Sequence, residues 1–128
     1  MVRAVRFEIP GRAVPYVRTT QRQRHVDRRY HRYREFKEYV ALLVSMDMKR
    51  FGYQPIPKGT PIQFGLRVFL KGGLDADLSN YVKGVEDALN GVAFEDDRWI
   101  HKYIFAEKVF VNTTEEERTE IEVSPIDI

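Results

Sequence analysis

One strand pattern constrains the fold of this chain more than any other feature of its sequence. From Ile62 to Leu70, large apolar side chains occupy every second position, and after one lysine Gly72 and Gly73 end the pattern. Because side chains along a β-strand point alternately to opposite faces, this period of two predicts a strand with a buried face. Other strands must pair with it, so the fold must contain a sheet.

Two segments with helical spacing flank this strand. Before it, apolar residues from Phe36 to Met48 recur at steps of three and four, which predicts an amphipathic helix that begins at Tyr33 and ends at Gly52. After it, the same spacing predicts a second helix over residues 78–90, and the glycine that follows provides a stop signal. Strand, helix and strand therefore alternate in the middle of the chain.

The two ends of the chain supply the other predicted strands. Residues 5–9 alternate between apolar and charged side chains, whereas residues 12–31 have no firm period and are expected to form a flexible arm or hairpin. Segments 99–111 and 118–123 are separated by a polar turn, a pattern typical of an antiparallel hairpin. We therefore expect an α+β fold whose mixed sheet carries two helices, in a single domain spanning residues 1–128.

Several classes of protein are excluded by what the sequence lacks. It has no cysteine, which rules out disulfides and cysteine-based zinc sites, and no apolar stretch long enough to span a bilayer. The first eight residues alternate charge with apolar side chains, unlike a signal peptide, so we expect a cytoplasmic protein. There is no phosphate-binding GxxxxGK[ST] loop, and His25, His31 and His101 lack metal-ligand spacing.

The charge of the chain is divided unevenly along its length. Residues 1–50 contain 13 Lys/Arg and 5 Asp/Glu, a net of +8, whereas residues 51–128 contain 8 and 14, a net of −6. Seven arginines, interleaved with tyrosines, crowd the segment from residue 18 to 34: Arg18, Arg22, Arg24, Arg28, Arg29, Arg32 and Arg34. Arginine interleaved with aromatic residues favours contact with nucleic acid, because guanidinium groups bind phosphates through paired N–H donors and planar side chains stack on bases. A solvated basic loop is the simpler alternative.

Acidic residues flank the second predicted helix. Asp75 and Asp77 precede it, and Glu95-Asp96-Asp97 follow it. The helix would be about 20 Å long, and the steps from residue 90 to 97 can cover roughly 23 Å, so the connection could return Asp96 and Asp97 to the side of Asp77. Carboxylates gathered there would need a cation between them, and oxygen ligands favour Mg²⁺ or Mn²⁺.

A structural alternative explains the same residues one at a time. Asp77 or Ser79 could simply cap the helix by accepting its free backbone N–H groups, with the later acidic run as a solvated turn. Lys83 could likewise be a surface lysine paired with Asp87 four residues on, or a cation that offsets charge developing on a phosphate.

Three short motifs follow one another in this part of the chain: residues 77–83 read DLSNYVK, residues 87–91 read DALNG, and residues 96–97 read DD. Their order closely resembles the signature of the RusA-type Holliday junction resolvases, small dimeric endonucleases often carried by prophages. The family pattern is D-x-[DS]-N-x-x-K, then D-A-L-N-G, then D-D, so both residue types and spacing match over 21 residues. The opening from Ile9 through Pro15 to Arg18, followed by arginines and a helix, is also similar.

The resemblance implies Mg²⁺-dependent hydrolysis of phosphodiesters at four-way DNA junctions by a homodimer. By matching positions, Asp77 and Asp97 are the expected catalytic metal ligands, with Asp96 beside Asp97, and Lys83 is the assisting lysine. Ser79 stands where the best-studied members have a second aspartate, a variant associated with other members of the family, and Asp75 could supply the missing carboxylate. The arginine-rich segment is expected to hold DNA phosphates.

Two other functions fit the same sequence. One is a non-catalytic DNA- or RNA-binding module in which the acidic residues only cap a helix, and the other is a nuclease for RNA or for other branched DNA. The sequence does not identify the dimer surface, but the aromatic-rich strand 99–110 has apolar groups on both faces and is a candidate for part of it.

Overall fold

The computed structural model describes residues 4–20, 27–73 and 75–126. This part of the chain contains four strands and two long helices, so the predicted α+β class, with a mixed sheet and two helices, is confirmed. In chain order the elements are β1 (Val5–Pro10), α1 (Arg28–Phe51), β2 (Ile62–Leu70), α2 (Leu78–Leu89), β3 (Ile100–Phe110) and β4 (Arg118–Pro125). Neither helix combines the length and the apolar character that a bilayer crossing requires.

Helix α1 begins five residues earlier than its apolar spacing predicts. The side chain of Asp27 accepts hydrogen bonds from the backbone N–H groups of Arg29 (2.9 Å) and Tyr30 (3.3 Å), which satisfies donors that a helix start leaves free. The arginines that follow are therefore helical, and the predicted irregular arm is wrong for residues 28–31. The helix ends as predicted, because Gly52 adopts a left-handed φ of 73°.

The strand order in the sheet is β1-β4-β2-β3, with β3 parallel to β2 and the other pairs antiparallel. The predicted hairpin between the last two strands is therefore wrong, because β4 pairs with β1 and β2 and not with β3. Phe64, Leu66 and Val68 of β2 are fully buried, as suits a central strand with neighbours on both edges. The connection from β3 to β4 crosses the end of β2, where the N–H of Val111 donates to Leu70 O (2.9 Å).

Both helices pack on one face of the sheet and against each other. The core between them contains Val40 and Val44 of α1, Val85 of α2 and Leu66 and Ile121 of the sheet, all at most 2% exposed. Burial of this apolar surface is the main stabilising contribution to the fold. The other face of the sheet has no layer over it among the described residues.

That open face carries ion pairs between neighbouring strands. Arg6 contacts Glu122 at 3.0 Å, and Arg67 contacts Glu107 at 3.1 Å while its guanidinium lies 3.9 Å from the centre of the Phe105 ring. The site described next lies instead at the ends of α2, on the helix-covered side.

Candidate active site

Asp77 lies at the N-terminus of α2 with its carboxylate uncommitted. It occupies the cap position, yet its side chain accepts none of the helix N–H groups, and within residues 4–20, 27–73 and 75–126 it forms no ion pair. The alternative in which Asp77 serves to cap the helix is therefore wrong. Asp77 and Ser79 are both exposed. A carboxylate without a capping hydrogen bond or an ion pair in the described residues is available for a ligand.

Asp75, by contrast, already has a partner. Its Oδ2 atom lies 2.9 Å from Nζ of Lys108 on β3, and the same ammonium group donates to Ala76 O at 3.1 Å. The negative charge of Asp75 is therefore balanced within the chain. It lies two residues from Asp77, but it is less available to a metal ion.

Lys83 is exposed one to two turns into α2, on the side of the irregular segment that follows β1. Its Nζ atom lies 4.8 Å from the centre of the Tyr16 ring, and the N–H of Tyr16 donates to Asn80 O at 2.9 Å. The predicted alternative, an ion pair with Asp87, is not formed: the Asp87 carboxylate accepts a hydrogen bond from the Tyr33 hydroxyl at 3.1 Å instead. Lys83 therefore forms no ion pair in the described part of the chain, and it belongs to the helix that begins after Asp77.

A glycine in α2 lets the Tyr16 segment approach this closely. A Cβ atom on Gly84 would lie 3.2 Å from the Tyr33 ring and 3.3 Å from the Tyr16 backbone nitrogen, closer than such atoms normally come. Tyr16 and Tyr33 themselves pack edge to face with ring centres 5.4 Å apart. The packing of α1, α2 and the Tyr16 segment thus fixes the surroundings of Lys83.

A cationic groove adjoins Asp75 and Ala76. It has a volume of about 370 Å³ and is lined by the guanidinium-bearing residues Arg12, Arg29 and Arg32. Guanidinium groups offer the positive charge and N–H donors that phosphate groups bind, and here Arg12 also contacts Glu117 at 2.6 Å and Arg29 contacts Asp27 at 3.6 Å. Two of the three, Arg29 and Arg32, belong to the arginine-rich segment predicted from the sequence.

The other arginines of that segment are distributed more widely. Arg28 is exposed in the first turn of α1, Arg34 is exposed with Glu38 4.0 Å away, and Arg18 is exposed in the irregular segment. Arg22 and Arg24 lie outside the described residues. The structure thus brings Arg29 and Arg32, but not all seven arginines, to the groove beside Asp75.

Asp97 lies at the opposite end of α2 from Asp77. Its N–H donates to the side-chain oxygen of Asn90 at 2.8 Å, and the Asn90 amide donates back to its carboxylate at 3.2 Å. Asn90 follows the last turn of α2, so about 18 Å of helix separates the two aspartates. The expectation that Asp97 returns to the side of Asp77 within one chain is wrong.

The parallel pairing of β2 and β3 explains this separation. A crossover helix carries the chain back to the start of the next parallel strand, so residues just before β3 must lie at the C-terminal end of α2. The connection does not extend, because Phe94 is fully buried and Gly91 N–H donates to Phe94 O at 2.8 Å. Asp96 accepts from the N–H of Arg98 at 3.0 Å and caps the short turn before β3.

Glu86 is a carboxylate near Asp97 that the sequence reasoning missed. The hydroxyl of Tyr103 on β3 donates to it, and burial, followed by the charge of Asp97, raises its pKa. Burial also raises the pKa of Tyr103, and the Glu86 carboxylate adds to that effect. The helical spacing of Ser79, Lys83, Glu86 and Asn90 would have indicated one polar stripe that ends at Asp97.

The donors at Asp77 fit a divalent cation only in part. Across the described ranges, no three Asp, Glu or His side chains converge as a preformed metal cluster would. Mg²⁺ is commonly held by one or two carboxylates together with substrate phosphates, so an uncommitted aspartate near an arginine-lined groove suits this ion. Asp75 is already paired with Lys108, and Asp97 lies at the other end of α2.

Asp77 and Lys83 are exposed at the start of α2, and a groove lined by three arginines adjoins the residues just before Asp77, an arrangement compatible with binding of phosphate groups. The family model for RusA, described as endodeoxyribonuclease RusA, matches residues 8–124. The chain belongs to this family, as its motif indicates.

A curated relative extends the comparison without adding a function. The uncharacterized protein YqaN of Bacillus subtilis (strain 168) is 38% identical over 80 residues, which covers 48% of this chain and 55% of the relative. The match thus spans about half the length of that protein.

Proposed function

We propose that this chain is a divalent-metal-dependent endonuclease that resolves Holliday junctions by paired hydrolysis of phosphodiesters. Membership of the RusA family supports an endodeoxyribonuclease. The observation that carries the proposal is the Asp77 carboxylate, which takes no part in capping α2 and directly follows Ala76, a residue that lines the groove with Arg29 and Arg32. Work on cellular DNA would require a cytoplasmic location.

Each group near the N-terminus of α2 has a role in this proposal. Asp77 would hold Mg²⁺, with Mn²⁺ as the other candidate, and the ion when bound supplies Lewis-acid polarisation of the scissile phosphate. Lys83 would offset negative charge that develops on that phosphate, because its ammonium group has no ion-pair partner in the described part of the chain. Arg29 and Arg32 would bind the phosphates on either side.

A second copy of the chain completes the proposed site. Asp97 and its neighbour Asp96 cannot reach the Asp77 of their own chain, but α2 runs antiparallel to β3, so its two ends lie at opposite ends of that strand. A two-fold axis near the middle of β3 would place the Asp97 end of one copy beside the Asp77 end of the other. The homodimer would then contain two equivalent sites, one for each strand that resolution must cut.

The unpaired edge of β3 supports this arrangement. β3 is the last strand in the order of the sheet, and beside it a groove of about 400 Å³ lined by Lys83, Glu86 and Tyr103 separates it from α2. Tyr103 is 52% exposed, although its aromatic ring is large and apolar. An open strand edge and an exposed aromatic are features that a partner commonly covers.

A gel assay with synthetic substrates tests the function. Four-way junction, flap and linear duplex DNA would be incubated with the protein with and without Mg²⁺, and we expect cleavage only of the junction and only with the metal. Asp77→Asn should lower the cleavage rate by a factor of about 10³ or more while junction binding persists, since a charged ligand is lost but the arginines are not. Asp47→Asn on α1 is the matched control and should cleave normally.

Three results would contradict the proposal in different ways. Equal cleavage by Asp77→Asn would remove this residue from the site. Cleavage of flaps or RNA in preference to junctions would support the alternative nuclease. Junction binding without cleavage in either metal would favour the non-catalytic DNA-binding module.

A further inference from the structure

Two glycines open the segment between β2 and Asp77. Gly72 and Gly73 adopt left-handed φ values of 43° and 76°, and Asp77 has no side-chain cap hydrogen bond. Glycine loses more conformational freedom on ordering than other residues, so such a loop needs external contacts to hold one geometry. Those contacts come from a neighbouring strand.

Lys108 on β3 supplies them. It lies opposite the fully buried Val68 of β2, so its side chain leaves the sheet on the helix-covered side and is only 28% exposed. Its ammonium group reaches both Asp75 Oδ2 (2.9 Å) and Ala76 O (3.1 Å). A partly buried ammonium group is stable only with such partners, so the lysine and the loop hold each other in place.

The residue before Asp77 is held by Lys108 next to a buried side chain of α2. Lys108 binds the carbonyl of Ala76, and Tyr81, which is 2% exposed, lies close to the Ala76 backbone: burial raises the pKa of its hydroxyl, and that backbone opposes the shift. Asp77 is joined to this restrained unit by a single peptide bond. The direction in which its carboxylate leaves the chain therefore depends on the contacts of Lys108.

We propose that Lys108 is a positioning residue for Asp77, acting through the Asp75 carboxylate and the Ala76 carbonyl. In this arrangement Asp75 is the partner of Lys108 and does not replace the carboxylate absent at Ser79. The proposal rests on the proposed nuclease function, since positioning matters only if Asp77 acts on a phosphate. A displacement of about 1 Å at a reacting group can cost a factor of about 100 in rate.

The test compares Lys108→Met with Lys108→Arg. The Met variant keeps the apolar stem but loses the donors, so we expect kcat for junction cleavage to fall about tenfold to a hundredfold and the Mg²⁺ concentration for half-maximal rate to rise. Junction affinity without metal should stay within about twofold, because the arginine groove is intact. Lys108→Arg keeps a cationic donor and should restore most of the rate. Lys58→Met, at an exposed lysine, is the control.

The Asp75→Asn variant separates this role from metal binding. If Asp75 acts by holding Lys108, the double variant Asp75→Asn, Lys108→Met should be no slower than the worse single variant, which is the non-additivity expected of a contacting pair. If Asp75 is instead a metal ligand, Lys108 competes with the ion for its carboxylate. Lys108→Met should then lower the Mg²⁺ concentration that gives the half-maximal rate. That result, or a normal rate in Lys108→Met, would overturn the proposal.

Amide hydrogen exchange keeps this inference distinct from the proposed function. In Lys108→Met, exchange should rise at residues 75–80 while the core strands β2 and β4 stay protected. A wild-type protein that cleaves nothing would contradict the nuclease function, and the exchange pattern would still decide whether Lys108 orders the loop. Unchanged exchange at residues 75–80 would overturn the positioning role even if cleavage is normal in the wild type.

Discussion

At the scale of single residues, Glu86 shows most directly how the fold changes a side chain's chemistry. Burial is the main cause of its raised pKa, and the neighbouring charges of Asp97 and Asp87 act in the same direction. The hydroxyl of Tyr103 donates to it and opposes the shift. The folded chain therefore binds a proton at Glu86 more readily than the unfolded chain does.

This shift predicts a stability that depends on pH. A carboxyl whose pKa is raised on folding contributes stability below its ordinary value of 4.5, and that contribution is lost as the pH rises through the raised pKa. Glu86→Gln removes the charge but keeps an acceptor for Tyr103, so the variant should be more stable than the wild type at pH 7 and should lose that advantage at pH 4. Chemical denaturation at both pH values, without metal or DNA, measures this.

Glu115→Gln serves as the control because Glu115 is exposed in the turn before β4. It should change the free energy of unfolding little at either pH. A Glu86→Gln variant that is less stable than the wild type by the same amount at pH 7 and pH 4 would show that the carboxylate is not destabilised by burial.

The sequence predicts the identity of individual site residues better than their positions. Asp77 and Lys83 follow from the motif, because the motif fixes the residue types along one helix and the regular geometry of the helix then fixes their relative placement. The sequence places Asp97 at the wrong end of α2, since it gives the length of a connection but not its direction. Glu86 escapes prediction because its shifted pKa depends on burial and on the contact with Tyr103 of another element.

At the scale of elements, the N-terminal turns of α1 form the predicted DNA-binding surface. Arg28, Arg29 and Arg32 project from a helix that Asp27 caps, rather than from a mobile arm. Replacing all three with alanine should not weaken α1, because alanine has the higher helix propensity. It should make junction binding less dependent on salt, with the log–log slope reduced by about 0.9 for each phosphate that the variant no longer neutralises.

The control for this prediction uses the other end of the same helix. Lys49→Ala with Arg50→Ala also removes cationic charge from α1, but in the last turn, away from Asp75. Affinity measured by anisotropy across a range of salt concentrations should give the wild-type slope for this control. The same slope for the triple variant would mean that the DNA lies elsewhere.

The sequence predicts the elements of the fold more accurately than their pairing. Each strand and helix follows from a local period, so their existence is readable from residues close in the chain. The neighbours of β4 are set by β2, which lies inside the sheet with Phe64, Leu66 and Val68 fully buried, so the backbone N–H and C=O groups along both of its edges need hydrogen-bond partners. That requirement involves residues some 50 positions apart, so the local turn signal at residues 112–117 does not reveal which strand β4 pairs with.

At the scale of the whole molecule, the separation of Asp77 and Asp97 predicts that neither is sufficient within one chain. A two-fold homodimer centred on the α2 and β3 side would bring the two ends of α2 together across the interface. Each site would then draw Asp77 from one copy and Asp97 from the other. Sedimentation equilibrium with junction DNA should show two chains of 15.1 kDa bound to each junction.

Mixing two inactive variants tests whether the sites are shared. Asp77→Asn and Asp97→Asn should each be inactive alone, because every site in either homodimer lacks one carboxylate. If the sites are shared, one site of a mixed dimer lacks both carboxylates and the other site has both. After equal mixing and subunit exchange, about half of the dimers are mixed, and each has one active site out of two. The mixture should therefore recover about a quarter of the wild-type nicking rate. The product should be a junction cut in a single strand, seen on a denaturing gel. If each site lay within one chain, both sites of the mixed dimer would be defective, and a mixture as inactive as its components would rule out the shared site.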